Sequence, residues 1–148
     1  MATKIDISGS KSKITIISVP TFPQGLVIEE FATDTDPLVF DEMQIAETEV
    51  GVNGDVATYQ KPALINVTLS VIPNSESDKN LEILFNSNRP AKNKVSTKDD
   101  ITMVIAYTDG KIVTLSGGTI LTGIPANSIT QDAKLATKSY RFNFANII

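Results

Sequence analysis

The segment Ser75-Glu76-Ser77-Asp78-Lys79-Asn80-Leu81-Glu82-Ile83-Leu84-Phe85-Asn86-Ser87-Asn88 decides the fold, because it is the one stretch with helical periodicity. Ser75 is placed to cap the first turn, and Asp78 brings an acid to the positive end of the helix dipole. Leu81, Leu84 and Phe85 form a narrow apolar stripe, and Arg89-Pro90 ends the pattern. A helix this short is not stable alone in water, so we expect it to lie on a sheet with this stripe inward.

The residues on both sides of the helix have the patterns of β-strands and tight turns. Residues 63–72 alternate apolar and polar side chains, as a half-buried strand does. Asn53-Gly54 and Asp109-Gly110 predict hairpins, and Gly117-Gly118 predicts a bulge or bend within one longer strand. Strands are predicted over residues 13–19, 26–33, 43–50, 56–60, 63–72, 101–108, 112–122 and 139–144. This order predicts a mainly β protein, an antiparallel β-sandwich or open barrel of roughly eight strands with one α-helix packed on it.

Composition predicts one globular domain over residues 1–148. The chain has 148 residues and a formal net charge of -4, values that suit a domain with a true core. Residues 1–12 are small and polar, so we expect a flexible arm there. No apolar run approaches the ~20 residues that span a bilayer, and the N-terminus has no signal-peptide core. We therefore expect a protein that is made and kept in a cytoplasm, or released by lysis, and that has no membrane partner.

Residue usage argues against an enzyme. There is no Cys, His or Trp, which excludes disulfides, Cys/His zinc sites and Ser-His-Asp or Cys-His nucleophiles. Ser8-Gly9-Ser10-Lys11 matches an S-x-x-K pattern but lacks its companion motifs. The pairs Asp34-x-Asp36 and Asp99-Asp100 could hold a hard cation, yet neither extends into a calcium loop, which favours turn capping. We predict no catalytic residue, no metal site and no cofactor.

The charges are distributed unevenly along the chain. No Lys or Arg occurs between residues 14 and 60, whereas basic residues gather later. The acidic members of that stretch are Glu29, Glu30, Asp34, Asp36, Asp41, Glu42, Glu47, Glu49 and Asp55, and the first basic group is Arg89, Lys92, Lys94 and Lys98. One interpretation is solvated charge on separate faces. The other is head-to-tail self-association, in which an acidic patch on one copy meets a basic patch on the next.

Three apolar residues, Leu38, Val39 and Phe40, follow the strand-breaking Asp36-Pro37. The pattern predicts a loop tip, and an apolar tip packs on something. It either folds back on its own core or docks on a neighbouring subunit.

Three stretches of the chain form a recognisable set, namely residues 45–55 (IAETEVGVNGD), 68–81 (TLSVIPNSESDKNL) and 117–129 (GGTILTGIPANSI). In order and spacing they resemble the tail tube proteins of contractile-tailed bacteriophages. The most specific passage is the strand followed by Pro-x-Ser-x-x-Asp and a helix, over residues 73–78. The resemblance covers about residues 26–146, and none of its motifs is catalytic.

The resemblance implies homohexameric rings that stack into the inner tube of a virion tail, assembled in the host bacterial cytoplasm. Sheath and baseplate proteins would be partners, and DNA would pass through the tube without specific binding. The loop over residues 33–60 would contact the adjacent ring through Leu38, Val39, Phe40, Glu47, Glu49 and Asp55, with the basic group above as its counter-surface. Asn66, Thr68 and Ser70 are expected to face the lumen. Reversing the charge of Glu47 or Glu49 is expected to weaken stacking.

Other functions stay open. Related β folds serve as single-ring tail terminators, sheath-tube adaptors or needle-hub proteins. A carbohydrate-binding sandwich would need aromatic residues on one flat face, but Tyr59, Tyr107 and Tyr140 are scattered along the sequence. An enzyme is the least favoured class.

Overall fold

The computed structural model describes residue 9 and residues 11–148. The arm predicted over residues 1–12 and the S-x-x-K pattern fall largely outside this range. The described part contains ten strands and one helix: β1 Lys13–Val19, β2 Phe22–Ile28, β3 Leu38–Phe40, β4 Ala46–Val50, β5 Val56–Gln60, β6 Ile65–Val71, α1 Glu76–Asn88, β7 Asp100–Ala106, β8 Ile112–Thr122, β9 Lys138–Phe144 and β10 Asn146–Ile147. The predicted mainly β class with one packed helix is confirmed.

Eight of the strands form one open antiparallel sheet in the order β2-β1-β7-β8-β9-β6-β3, with β10 also paired to β8. The long strand β8 divides this sheet into two parts. Its first part pairs with β7 and its last part with β9. We call the part formed by β2, β1, β7 and the start of β8 sheet A, and the part formed by the end of β8 with β9, β6 and β3 sheet B. The sheet does not close on itself, so the open form of the prediction is the correct one.

Gly117 and Gly118 form the corner between the two sheets, as the sequence predicts. Gly117 has a φ of +67°, and a Cβ on Gly118 would lie 2.3 Å from the ring of Phe144 and 2.8 Å from the carbonyl oxygen of Ile101. The β7–β8 register shifts at this point, which marks a bulge. Only glycine fits there, because the backbone bends and packs directly against an aromatic ring.

The inner faces of the two sheets and the apolar stripe of α1 form a single core. Alternate residues of β1, β6, β7 and β9 are buried, as the two-residue period of a strand requires. Leu81 and Leu84 of α1 are fully buried, and Phe85 packs against this core with its ring edge-on to Tyr140. The predicted inward stripe is therefore confirmed.

A buried ion cluster attaches the helix to β9. The Lys138 ammonium lies 3.2 Å from Oδ1 of Asp78 and 3.1 Å from Oε2 of Glu82. The Tyr140 hydroxyl donates to Oδ1 of Asp78 at 3.0 Å, and the amide of Asn74 donates to its Oδ2 at 3.0 Å. The side chains of Lys138 and Asp78 are each 1% exposed. Asp78 thus has two roles. It takes part in the N-terminal cap of the helix together with Ser75, and it joins the helix to the sheet.

Two segments differ most from the prediction. The second strand runs from Phe22 to Ile28 instead of 26–33, because Pro20 and Thr21 suffice for the turn and Pro23 is tolerated on an edge strand. Leu38–Phe40 is not a loop tip but the edge strand β3, with Leu38 paired to Leu69 of β6. The apolar triplet thus folds back on its own sheet.

Candidate assembly interface

Strands β4 and β5 form a hairpin that is separate from the main sheet. Among the described strands they pair only with each other. The turn between them is closed by hydrogen bonds from the Gly51 amide to the Asp55 carbonyl oxygen at 2.7 Å and from the Gly54 amide to the Gly51 carbonyl oxygen at 2.9 Å. Gly54 has a φ of +85°, which explains the Asn-Gly signal in the sequence. Every residue of β5 is exposed. This hairpin is the most prominent unpartnered element of the described chain.

The two faces of the hairpin differ in charge. The cross-strand pairs Ala46–Gln60, Thr48–Thr58 and Val50–Val56 share one face, which carries no ionisable group. The pairs Glu47–Tyr59 and Glu49–Ala57 share the other. We call these the uncharged face and the acidic face of the hairpin.

Glu47 is occupied by partners within its own hairpin. It accepts a hydrogen bond from the Tyr59 hydroxyl and forms an ion pair with the Lys61 ammonium at 2.9 Å. The Gln44 side-chain amide donates a longer hydrogen bond to it at 3.4 Å. The Tyr59 and Lys61 contacts hold the pKa of Glu47 below its usual range, and Glu47 in turn raises the pKa of Tyr59. Glu47 therefore braces the two strands. Among the described residues Glu49 forms no ion pair, so it is the more available of the two predicted carboxylates.

A two-stranded hairpin with both faces in water is marginally stable at best. Val50 is 72% exposed and Val56 is 67% exposed, and Val52 at the turn is fully exposed. Each would contribute roughly 1.5–3 kcal/mol if it were removed from water completely. The hairpin therefore exposes apolar side chains whose burial would be favourable.

The other predicted interface residues are spread over the surface. Val39 and Phe40 on β3 remain about one-third exposed, at 37% each, whereas Leu38 packs on the core. Asp55 lies exposed in the hairpin turn. The structure thus places β3 on the main sheet and Glu47, Glu49 and Asp55 on the hairpin.

The predicted basic counter-surface is partly used to cap the helix. The Lys94 ammonium donates to the carbonyl oxygen of Arg89 at 2.6 Å and also to that of Asn86, and Arg89 Nε donates to the Asn86 side chain at 3.4 Å. The Lys94 contacts satisfy the carbonyl groups of Asn86 and of the C-cap residue Arg89, and the last turn of α1 has no basic residue of its own. Lys92 and Lys98 are exposed. In the sequence, the last helical turn has no basic residue, which indicates that a residue outside the helix must bond its carbonyl groups.

Two of the three predicted lumen residues lie on an accessible outer face of sheet B. Asn66 pairs with Asn143, and Thr68 pairs with Arg141, which forms an ion pair with Asp41. Ser70 is only 3% exposed. Its hydroxyl lies 2.8 Å from that of Ser139, so it is satisfied within the subunit. Apart from the Asp41–Arg141 pair, this outer face is built from amides, hydroxyls and aliphatic groups.

No metal-binding geometry occurs in the described part of the chain, where no three acidic, His or Cys residues cluster. Asp34 accepts the Thr137 hydroxyl at 2.7 Å, and Asp99 accepts the Ser18 hydroxyl at 2.6 Å. Burial acts to raise the pKa of Asp99, but its hydrogen bonds, with Ser18 the largest contributor, outweigh burial and lower it. Nor is any described helix long and apolar enough to cross a membrane.

A family model described as "Tail fiber protein gp32" matches residues 5–148 of the chain. No curated protein matches the sequence. Among solved structures, the fold is similar to the tube-terminating cap of the anti-feeding prophage, with a TM-score of 0.57, 13% identity, and coverage of 100% of this chain and 93% of that chain. It is also similar to a chain of the sheath/tube terminator of the extracellular contractile injection system PVC, with a TM-score of 0.57, 12% identity, and coverage of 99% and 98%.

A chain from the PVC sheath-tube complex is similar over a smaller share, with a TM-score of 0.53, 14% identity, and coverage of 91% of this chain and 86% of that chain. The family and these neighbours are described as components of tails and injection systems, not as enzymes. At these identities the structural likeness shows a shared fold.

Proposed function

The chain belongs to the tail fiber protein gp32 family, and from this premise we propose that it is a structural ring subunit that terminates the tube of a phage-like contractile tail. The observation that carries the proposal is the full-length likeness to two tube-terminating proteins, which covers 100% and 99% of this chain. Residues 1–148 would act as one unit. The protein has no enzymatic role in this proposal.

The open sheet supports assembly into a ring. Among the described strands, the two outermost, β2 and β3, each have a strand partner on one side only, and such edges are sites for pairing with another chain. Pairing of β2 in one subunit with β3 in the next would be head-to-tail, and a head-to-tail contact closes into a ring when the rotation allows. We propose a homohexamer that meets sheath and tube proteins at the tail end.

The second candidate is the repeating tube subunit, which would stack ring on ring, associate with sheath and baseplate, and let DNA pass. The likeness to a chain of the PVC sheath-tube complex favours it, as does the sequence resemblance to tail tube proteins. In this candidate the outer face of sheet B, with Asn66 and Thr68, would line the lumen. Its lack of free positive charge suits a surface along which phosphates slide.

In both candidates the β4–β5 hairpin is the arm that contacts a neighbouring subunit. Its exposure on both faces and its separation from the main sheet support this role. Because Glu47 is held by Tyr59 and Lys61, charge reversal at Glu47 would weaken docking by loosening the hairpin. Reversal at Glu49 would act directly on a partner.

Negative-stain electron microscopy of the purified chain across a concentration series tests the proposal. A terminator is expected to form single rings that do not stack, whereas a tube subunit would form long hollow tubes. Tubes from the intact chain would overturn the terminator proposal in favour of the second candidate.

A further inference from the structure

The uncharged face of the hairpin has a matching surface on the same chain. Its side chains are Ala46, Thr48, Val50, Val56, Thr58 and Gln60, a set of small, β-branched and neutral groups. This composition is typical of a sheet face that packs on another sheet. A face of this kind is not suited to a strongly charged partner.

The outer face of sheet A has the same chemistry. Cross-strand neighbours there are Thr15 with Val27 and Val104, and Val104 with Thr114. The four strands β1, β2, β7 and β8 together contain two charged residues, Lys13 and Asp100, and both lie at strand ends. The centre of this face is uncharged, and no described helix or strand covers it.

The other large surfaces fit the hairpin less well. The outer face of sheet B carries the Arg141–Asp41 ion pair and the amides of Asn66 and Asn143. Covering these groups with Val50 and Val56 would remove their water without replacing its hydrogen bonds. The basic segment after the helix offers Lys92 and Lys98, which an uncharged face cannot pair.

We propose that the hairpin of one copy docks through its uncharged face on the outer face of sheet A of a second copy. The hairpin then forms an additional sheet layer over Thr15, Val104 and Thr114, as in aligned sheet packing. The acidic face is left outward, where Glu47 is braced by Lys61 and Tyr59. This inference rests on the proposed assembly function and names the surface that receives its arm.

Cysteine crosslinking tests the proposal cleanly, because the natural chain has no cysteine. Thr48→Cys reports on the uncharged face, and Val104→Cys on the centre of sheet A. The two single variants, one with a mass tag, are mixed under conditions in which the protein self-associates and are treated with a short thiol crosslinker. The matched control is Ala57→Cys, another small exposed residue, on the acidic face of the same hairpin.

The expected result is a mixed Thr48→Cys and Val104→Cys product in at least tenfold excess over the Ala57→Cys and Val104→Cys product. Equal yields from the two hairpin faces would overturn the proposal, as would preferred crosslinking of Thr48→Cys to Lys92→Cys. A chain that stays monomeric at every concentration would also overturn it, because the occupant named here is a second copy. The tail function itself fails on a different result, namely the absence of the protein from intact particles.

Discussion

Replacing Lys138 with Met is expected to destabilise the subunit strongly. Met keeps most of the apolar stem of the side chain but removes the charge that lies 3.2 Å from Asp78 and 3.1 Å from Glu82. Asp78 is then left as a buried carboxylate without a cation. Removing one partner of a buried ion pair costs about 3–5 kcal/mol.

The structure places Lys138→Met at the lower end of that range. Asp78 keeps its hydrogen bonds from Tyr140 and from the amide of Asn74, and the Glu82 side chain is 36% exposed and can turn to water. We expect a loss of about 3 kcal/mol, a large part of the about 5–15 kcal/mol that holds a typical domain folded. The double variant Lys138→Met, Asp78→Asn removes both charges and is expected to recover about 2 kcal/mol of that loss.

Equilibrium urea unfolding, followed by circular dichroism at neutral pH and at one protein concentration, measures these values. Lys134→Met is the matched control, because it makes the same substitution at an exposed lysine. Its free energy of unfolding is expected to stay within about 0.5 kcal/mol of the natural chain. The reasoning is refuted if Lys138→Met loses less than about 1 kcal/mol, or if the double variant is as unstable as the single one.

Three further results are expected. Gly118→Ala is expected to lower stability by about 1–3 kcal/mol in thermal unfolding, because its Cβ overlaps an aromatic ring, whereas Gly51→Ala, whose Cβ has room, is expected to change little. An acid titration followed by NMR tests the role of Glu47, whose pKa is lowered in the folded hairpin. The hairpin is expected to be fully ordered above the ordinary glutamate pKa and to lose order as the pH falls through the lowered pKa of Glu47. Glu47→Gln is expected to abolish this transition. Ser18→Ala is expected to cost about 1–3 kcal/mol, measured by urea unfolding, because it removes a hydrogen bond from the buried carboxylate of Asp99, and a neutral result would contradict that role.

Local patterns were sufficient to predict the helix, the hairpin and the corner. Ser75, the apolar stripe and Asn53-Gly54 each act over a few residues, so their structural consequence can be deduced without knowing the rest of the fold. Gly117-Gly118 predicted a bend for the same reason. The open sandwich class followed from the order of these elements.

Long-range pairing explains what the sequence did not reveal. β3 exists because Leu38–Phe40 pairs with β6, and Asp36-Pro37 just before it conceals this in the sequence. The burial of Lys138 could not be predicted locally, since lysine is almost never fully buried unless paired. Its alternation with Tyr140 and Phe142 places it on the inner face, but its two acidic partners come from α1, which lies far away in the sequence. The involvement of Lys94 in the helix cap was missed because the cap closes through a separate turn.

The location of the protein in intact particles tests the terminator proposal most directly. A short epitope inserted at Gly110, a turn residue at which an added Cβ would meet no other atom within 4 Å, can be labelled with gold and imaged by electron microscopy. The account predicts label at one end of the tail tube and none along its length. Label distributed along the whole tube would contradict the terminator assignment and favour the repeating tube subunit, and particles without label would contradict a structural role in the tail.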